Sequence, residues 1–466
     1  MKFFICKDKS KFTKQQHVEN YGDWYFIRDD KVEIWKFADH IVLYCGYLIE
    51  GDIEEVCSKF SFREANGNFF AVKLTTNDYD LSVDYFQNHK LFRSEKYGIE
   101  ITNHLPYMTI KEADFVEADL CLDRFNQEHS NAECTTFYDH VVIFNPLYNY
   151  RQDAKDAFAQ EVWQDVEGLT EYIHQCMKDH SEVIKEKYPL RYCSLSDGLD
   201  SALQSLFFRE DLQLLYSLDT CISKNQHEYL KRAQSNFPNT HHYTFLSKDN
   251  YQECLNHLVD SSCRQQACIP TYKHLKMQER LPDILMYGSN GNEMFVRDLL
   301  HHVLVLILKY YSDNTKQMEG MVKMDLFSKS DMYGSAYWND GKNAEEVFHK
   351  YIDNVICRLR DVPHKWIVDT LMRVCSPRLY NRAISANMDI MSSSIYNDRR
   401  IFHEFMKGRN DWVQTNAMDA PVQMAILDMY GYNFTTPRRC NSSGEDKLLY
   451  TTSQEATVES DMRQNI

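Results

Sequence analysis

Several common sequence signals are missing from this chain. Its fourteen cysteines include no C-x-x-C pair and no zinc-finger spacing, which argues against a disulfide framework and is typical of reduced thiols. The longest apolar run, 303–308, is far too short to cross a bilayer. The segment 1–7 has too short an apolar run for a signal peptide. The sequence therefore predicts a cytoplasmic protein that does not enter the membrane.

Positive charge is scarce as well. The chain has 52 Lys and Arg against 68 Asp and Glu, a formal net charge of −16. This excess argues against a broad surface for nucleic acid or for an anionic membrane, although a local basic site is compatible with it. The pair Arg399-Arg400 fits equally well an arginine pair facing solvent and one that binds a phosphate.

A length of 466 residues favours two domains, and the first part of the chain has the pattern of β-structure. Apolar or alternating runs separated by turn residues predict strands at 34–35, 41–45, 69–74, 81–86 and 99–101. The segment 66–68, Asn-Gly-Asn, predicts a turn, and Asn77-Asp78 predicts a hairpin between two strands. We therefore place a β-rich domain at residues 1–150.

The second part of the chain alternates between strand and helix patterns. A helical pattern begins near Lys155, and strands are expected at 190–195, 212–218, 242–246 and 284–287 with helices between them. This alternation predicts a doubly wound parallel sheet, followed by a mainly helical extension over 293–432. The fold class is α/β plus α+β, with a second domain at 151–440 and a disordered tail at 441–466.

One turn carries the strongest chemical signal, Ser196-Asp197-Gly198-Leu199-Asp200-Ser201. It joins a predicted strand directly to a predicted helix, so that backbone N–H groups and the positive end of the helix dipole converge on it. Such a turn is typical of a phosphate site, in which Asp200 can hold a magnesium ion. The P-loop is excluded because no Gly-Lys-Ser/Thr follows. The alternative is a Ser/Asp-rich turn that only caps a helix.

A second glycine turn, Tyr287-Gly288-Ser289-Asn290-Gly291-Asn292-Glu293-Met294-Phe295, follows another short apolar run. The first turn resembles the Ser-Gly-Gly-x-Asp-Ser signature of PP-loop ATP pyrophosphatases. The second resembles the Ser-Gly-Asp-Gly-Gly-Asp-Glu-Leu-Phe turn of asparagine synthetase-like proteins, in the same order along the chain. Segment 67–72 is similar to the Gly-x-Phe-Ala strand of the same family. By these motifs the chain is identified as a member of the asparagine synthetase family.

The resemblance implies a fold, a reaction and its ligands. The fold would be an Ntn-hydrolase-like glutaminase domain followed by a PP-loop synthetase domain. A homodimer is compatible with this resemblance. The reaction would activate a small-molecule or peptide carboxylate with ATP and magnesium, release pyrophosphate, and form an amide with an amine or ammonia donor. Leu218 would contact adenine through its backbone, and Gly288, Ser289 and Gly291 would line the phosphate site. Arg439 would supply positive charge, and Asp389 is the carboxylate nearest the family's catalytic Glu.

Two departures from the family pattern alter these expectations. The family's glutaminases expose an N-terminal cysteine, whereas position 2 is Lys2 and the nearest thiol, Cys6, falls within a predicted strand, so we expect glutaminase activity to be lost. Asp197 replaces a glycine, while Ser289 and Asn292 replace acidic residues. Either Asp197 takes over part of the magnesium site, or this chain has lost catalysis and is an inactive scaffold. An intramolecular cyclase of the lasso-peptide or β-lactam synthetase type is a third reading.

Overall fold

The computed structural model describes residues 1–86, 88–89, 91–114, 133–135, 140–144, 166–195, 198–209, 214–219, 233–238, 241–246, 275, 280–288, 291, 388–406 and 420–432. The chain divides into two compact units. The first comprises Met1–Asp156, Val259–Cys263 and Val303–Met391, and the second comprises Ala157–Leu258, Arg264–His302 and Ser392–Ile466.

The first unit contains two antiparallel sheets. One has the strand order β10-β11-β8-β9-β1-β3-β2 and the other the order β4-β5-β6-β7, and every neighbouring pair is antiparallel. The elements are β1 Phe3–Cys6, β2 Glu19–Tyr21, β3 Trp24–Arg28, β4 Glu33–Lys36, β5 Ile41–Leu48, α1 Ile53–Lys59, β6 Gly67–Leu74, β7 Tyr79–Val83, β8 Phe92–Ser94, β9 Glu100–Thr102, β10 Glu133–Thr135 and β11 Val141–Phe144. The β-rich character predicted for this part of the chain is confirmed.

Successive residues of β6 pack against different neighbours on the two faces of the smaller sheet. Phe69 belongs to an apolar cluster with Tyr44 of β5 and Cys57 of α1. Phe70 points the opposite way, and its ring lies 5.2 Å from that of Phe3 in the larger sheet. Because side chains alternate across a strand, one apolar strand can serve two packing layers. This explains why almost every residue of β6 is buried. A strand with one solvent-facing side would instead alternate between buried and exposed residues.

The turn predicted at 66–68 is wrong, because Gly67 is the first residue of β6 and pairs with Leu48. A Cβ on Gly67 would overlap the carbonyl oxygen of Tyr47. The glycine is therefore explained by close approach between strands rather than by a turn. The hairpin predicted at Asn77-Asp78 is confirmed, since β6 and β7 are antiparallel neighbours on either side of it.

The second unit contains a parallel sheet. Its strand order is β14-β13-β12-β15-β16, and the pairs β14-β13, β13-β12 and β12-β15 are parallel. The elements are α2 Val166–Lys187, β12 Arg191–Ser194, α3 Leu199–Leu206, β13 Leu214–Asp219, β14 His241–Leu246, β15 Ile284–Met286, β16 Met391–Ser393, α4 Arg399–Met406 and α5 Pro421–Met429. The four predicted strands are confirmed. Most of the predicted helical extension and the tail at 441–466 lie outside the described residues.

We expect Gly46→Ala to destabilise the first unit far more than Gly51→Ala. Both glycines have positive φ, +128° and +92°, but a Cβ at Gly46 would overlap the carbonyl of Asn68 whereas one at Gly51 has nothing within 4 Å. Gly51→Ala should cost about 1 kcal/mol from backbone strain alone, and Gly46→Ala about 3 kcal/mol or more. Urea unfolding measures both. Equal losses would contradict the close approach of β5 and β6.

Candidate functional site

The carboxyl ends of β12 and β15 lie side by side in the second unit. The two strands are parallel neighbours, with Cys193 opposite Met286. After β12 the sheet continues through β13 to β14 on one side, while β15 lies on the other, so the strand order reverses between β12 and β15. In open parallel sheets, ligands bind outside the carboxyl ends of the strands at such a reversal. Both glycine turns leave the sheet at this place.

The two glycine turns are in van der Waals contact. A Cβ added to Gly288 would lie 2.6 Å from the backbone nitrogen of Ser201 and 2.7 Å from its Cα. A Cβ added to Gly291 would lie 2.6 Å from Cγ of Asp200. Such distances are shorter than real Cβ contacts, so glycine at both positions lets the second turn lie this close to the first. The tertiary structure thus brings together the two motifs that the sequence singled out.

The first turn opens α3 as the sequence predicted. Gly198 is the N-cap residue, with φ −81° and ψ 148°, and Leu199 begins the helix with a buried side chain. Gly198 O accepts hydrogen bonds from the Ser201 hydroxyl at 3.1 Å and from Ala202 N at 3.2 Å. The φ of Gly198 is one that any residue adopts. The positive end of the α3 dipole points out of this turn.

Asp200 is held by two residues that the sequence did not indicate. The amide Nε2 of Gln423 donates a hydrogen bond to Asp200 Oδ1 at 2.6 Å. The hydroxyl of Tyr396 donates to the backbone carbonyl of Asp200 at 2.7 Å. Gln423 is fully buried, and a glutamine in the otherwise apolar first turns of α5 is the one local signal that could have found it.

The loop that carries Tyr396 is anchored by buried polar contacts. Ile395 N donates to Gln204 Oε1 at 3.3 Å, and His180 Nδ1–H donates to Ile395 O at 3.2 Å. Arg400 forms ion pairs with the buried carboxylate of Asp398 at 2.7 Å and with Asp179 at 3.0 Å. For Arg399-Arg400 the sequence allowed either exposure to solvent or phosphate binding. Neither describes Arg400, because its guanidinium pairs with two carboxylates of the protein itself.

Burial strongly affects the protonation of His180. Desolvation lowers the pKa of His180 to about 4, although the charge of Asp398 and the bond to Ile395 act in the opposite direction. The imidazole is therefore neutral at neutral pH. A neutral His180 keeps one N–H for the carbonyl of Ile395 and adds no positive charge beside Arg400.

Of the remaining predicted site residues, the structure describes only some. Leu218 lies in β13, where it pairs with Phe245 of β14. Ser196, Asp197, Ser289 and Arg439 lie outside the described residues. Asp389 belongs to the first unit and has φ +55°, and its carboxylate accepts a hydrogen bond from the Met1 ammonium at 2.8 Å. The roles suggested for these residues stay predictions.

Cys6, the thiol nearest the N-terminus, is buried in β1 as the sequence indicated. Burial raises its pKa to about 11, although the bond to the Asp8 carbonyl and the charge of Lys11 lower it. A thiol with that pKa is almost entirely protonated at neutral pH, and the thiolate is the nucleophilic form. Cys6 is accordingly a poor nucleophile.

Comparison with protein-family models and with curated proteins gave no match to this chain. Within the described ranges, no cluster of three or more His, Cys, Asp or Glu side chains is arranged to bind a metal ion. None of the helices that the structure describes combines the length and apolar character needed to cross a membrane.

We expect Gly288→Ala to be more destabilising than Gly291→Ala. The added methyl group at Gly288 meets the backbone of Ser201, which cannot yield without moving α3. At Gly291 it meets the side chain of Asp200, whose Cγ and Oδ1, although not its Cβ, can move by rotation about χ1. Gly288→Ala should cost about 2 kcal/mol or more in unfolding free energy, and Gly291→Ala less. Urea unfolding tests this order. A neutral Gly288→Ala would mean that the two turns are not in contact.

The depressed pKa of His180 predicts a pH dependence of stability. Between pH 6.5 and 4 the unfolded chain binds a proton on this side chain that the folded chain does not, so the unfolding free energy should fall as the pH is lowered through this range. The loss is up to roughly 3 kcal/mol. His180→Gln should flatten this part of the profile, while His17→Gln, at an exposed position, should retain it. Equal slopes for wild type and His180→Gln would refute the assignment.

Proposed function

We propose that this chain is an ATP-dependent amide-forming ligase of the asparagine synthetase family. The observation that supports it most is the contact of Gly288 and Gly291 with Asp200 and Ser201, at the adjacent carboxyl ends of two parallel strands. Two turns that resemble the family's two phosphate-site motifs by sequence are thus neighbours in space. An ordinary capped helix gives no reason for a second glycine turn to press against its first residues.

The described residues fit a nucleotide phosphate with its magnesium ion. Backbone N–H groups at the start of α3 and the dipole of that helix favour an anion, and glycine lets the backbone come close to it. Asp200 would hold magnesium, and Asp197 is its expected second carboxylate. A carboxylate has about four lone-pair directions, so the bond from Gln423 is compatible with a metal on the same group. Magnesium would supply positive charge that stabilises the departing pyrophosphate.

In the proposed reaction a substrate carboxylate oxygen attacks the α-phosphorus of ATP, the bond to the β-phosphate oxygen breaks, and pyrophosphate leaves. The amine then attacks the activated carbonyl carbon, AMP departs with the electron pair of its bond, and the amine loses a proton. The turn at Gly198 to Ser201 would orient the leaving pyrophosphate by its helix dipole and N–H groups. The backbone of Leu218 is the expected adenine contact, Arg439 the expected source of positive charge, and Asp389 the expected catalytic carboxylate.

The first unit would serve as a scaffold without glutaminase chemistry. Its two antiparallel sheets, in contact through Phe3 and Phe70, are compatible with an Ntn-hydrolase-like fold. Cys6 is buried, and its pKa of about 11 deprives it of the thiolate that amide hydrolysis needs. The nitrogen would then come from free ammonia, from an external amine, or from an amine within the substrate itself. The parallel sheet of the second unit would be the PP-loop domain.

Titration calorimetry with ATP tests the phosphate site. We expect ATP binding to require magnesium, and Asp200→Asn to weaken the magnesium-dependent binding at least about tenfold, because a coordinating negative charge is lost. Asp428→Asn is the matched control, since it makes the same change at an exposed position of α5 and should bind as wild type. Pyrophosphate release across a panel of carboxylates, with ammonia as donor, then measures catalysis.

Three outcomes separate the readings. Magnesium-dependent binding with pyrophosphate release on some carboxylate supports the ligase. Magnesium-dependent binding without release on any carboxylate, with or without an amine on the same molecule, overturns the ligase in favour of a nucleotide-binding scaffold. Absence of ATP binding, or binding that is indifferent both to magnesium and to Asp200→Asn, overturns the phosphate site itself.

A further inference from the structure

Gln423 is a buried residue that contacts the carboxylate of Asp200. Its Nε2 lies 2.6 Å from Asp200 Oδ1, and the two residues are 223 positions apart in the sequence. We propose that Gln423 is a positioning residue that holds the Asp200 carboxylate in the orientation in which it takes magnesium. The inference rests on the proposed function, because it assigns a role to Gln423 at that same site.

The helix that carries Gln423 is firmly placed. Its start is fixed by Ala420, which has φ +51°, followed by Pro421 as the first helical residue. Val422, Ile426 and Leu427 are buried, and α5 packs against both α2 and α3. Gln423 therefore projects from a packed element rather than from a loop. A side chain with such support can hold a partner in one geometry.

Asp200 is confined on its other sides as well. A Cβ added to Gly291 would lie only 2.6 Å from Cγ of Asp200, so the second turn is in direct contact with this carboxylate. The hydroxyl of Tyr396 holds its backbone carbonyl. With the backbone held by Tyr396 and one side covered by Gly291, the amide of Gln423 is placed to orient Oδ1. Outer partners that orient a coordinating carboxylate influence metal affinity strongly.

The chemistry of an amide suits this position better than that of a charged side chain. Glutamine donates a hydrogen bond that stabilises the half-buried carboxylate of Asp200 when no cation is bound, because the donor replaces hydration lost on partial burial. A lysine or arginine in its place would form an ion pair and compete with magnesium. A glutamate would repel Asp200 unless a cation lies between them.

The test measures ATP binding at increasing magnesium concentration, by calorimetry, in the full-length chain. Gln423→Met keeps the length and volume of the side chain but removes the donor, and we expect it to raise the magnesium requirement about 10- to 100-fold. In an Asp200→Asn background the same substitution should add nothing, because Gln423 then has no carboxylate to position. Val422→Ala weakens the packing of the same helix without altering the donor, and its magnesium requirement should equal that of wild type.

A second variant gives a readout that does not depend on ATP. Gln423→Glu brings a second carboxylate to Asp200, so its melting temperature should be lower than that of wild type in EDTA and should recover in excess MgCl2. The recovery should disappear in the double variant with Asp200→Asn. Recovery that persists in the double variant would count against a magnesium site at Asp200.

The outcomes distinguish this inference from the proposed function. If wild-type ATP binding depends on magnesium but Gln423→Met has the wild-type requirement, the positioning role is overturned and the phosphate site stands. If Val422→Ala shifts the requirement as much as Gln423→Met, the effect is one of helix packing and the positioning role is again overturned. If wild-type ATP binding is independent of magnesium, the positioning role is overturned, and if binding is also indifferent to Asp200→Asn, the phosphate site fails with it.

Discussion

The candidate site depends on the close approach of one backbone turn to another. Gly288 lies against the backbone of Ser201 and Gly291 against the side chain of Asp200, at distances that exclude any Cβ. This contact joins the turns that follow β12 and β15 beside Asp200 at the start of α3. The parallel pairing of β12 with β15 brings the two turns to the same edge of the sheet. The chemistry proposed for the site requires that this contact persists.

Buried polar side chains stabilise this arrangement through hydrogen bonds. Gln423 and Tyr396 hold Asp200, while His180 and Gln204 hold the main chain of Ile395. Each buried donor or acceptor in this network costs free energy if its partner is removed, so the members depend on one another. The site is therefore supported by residues from α2, α3, α5 and the segment after β16. The described part of the candidate site is therefore held by packed elements.

Much of the framework could be predicted from the sequence, because it follows from local patterns. The strands of the parallel sheet, the start of α3 and the buried position of Cys6 all follow from hydrophobic runs and turn residues within a few positions. The turn expected at 66–68 is wrong because a strand also needs glycine where a neighbouring carbonyl comes as close as that of Tyr47 does to Gly67. The contact of Gly288 and Gly291 with the first turn was not predicted, since only the fold determines which backbone segments meet.

By itself, the sequence determined which segments alternate between strand and helix and where two glycine turns interrupt that alternation. The tertiary structure alone decided that these turns touch, that Gln423 bonds to Asp200 across 223 positions, and that Arg400 binds Asp179 and Asp398 rather than solvent or phosphate. The physical reason is one of range. Secondary structure follows from neighbours a few residues away, whereas a site is made by groups that approach one another only when separate elements pack.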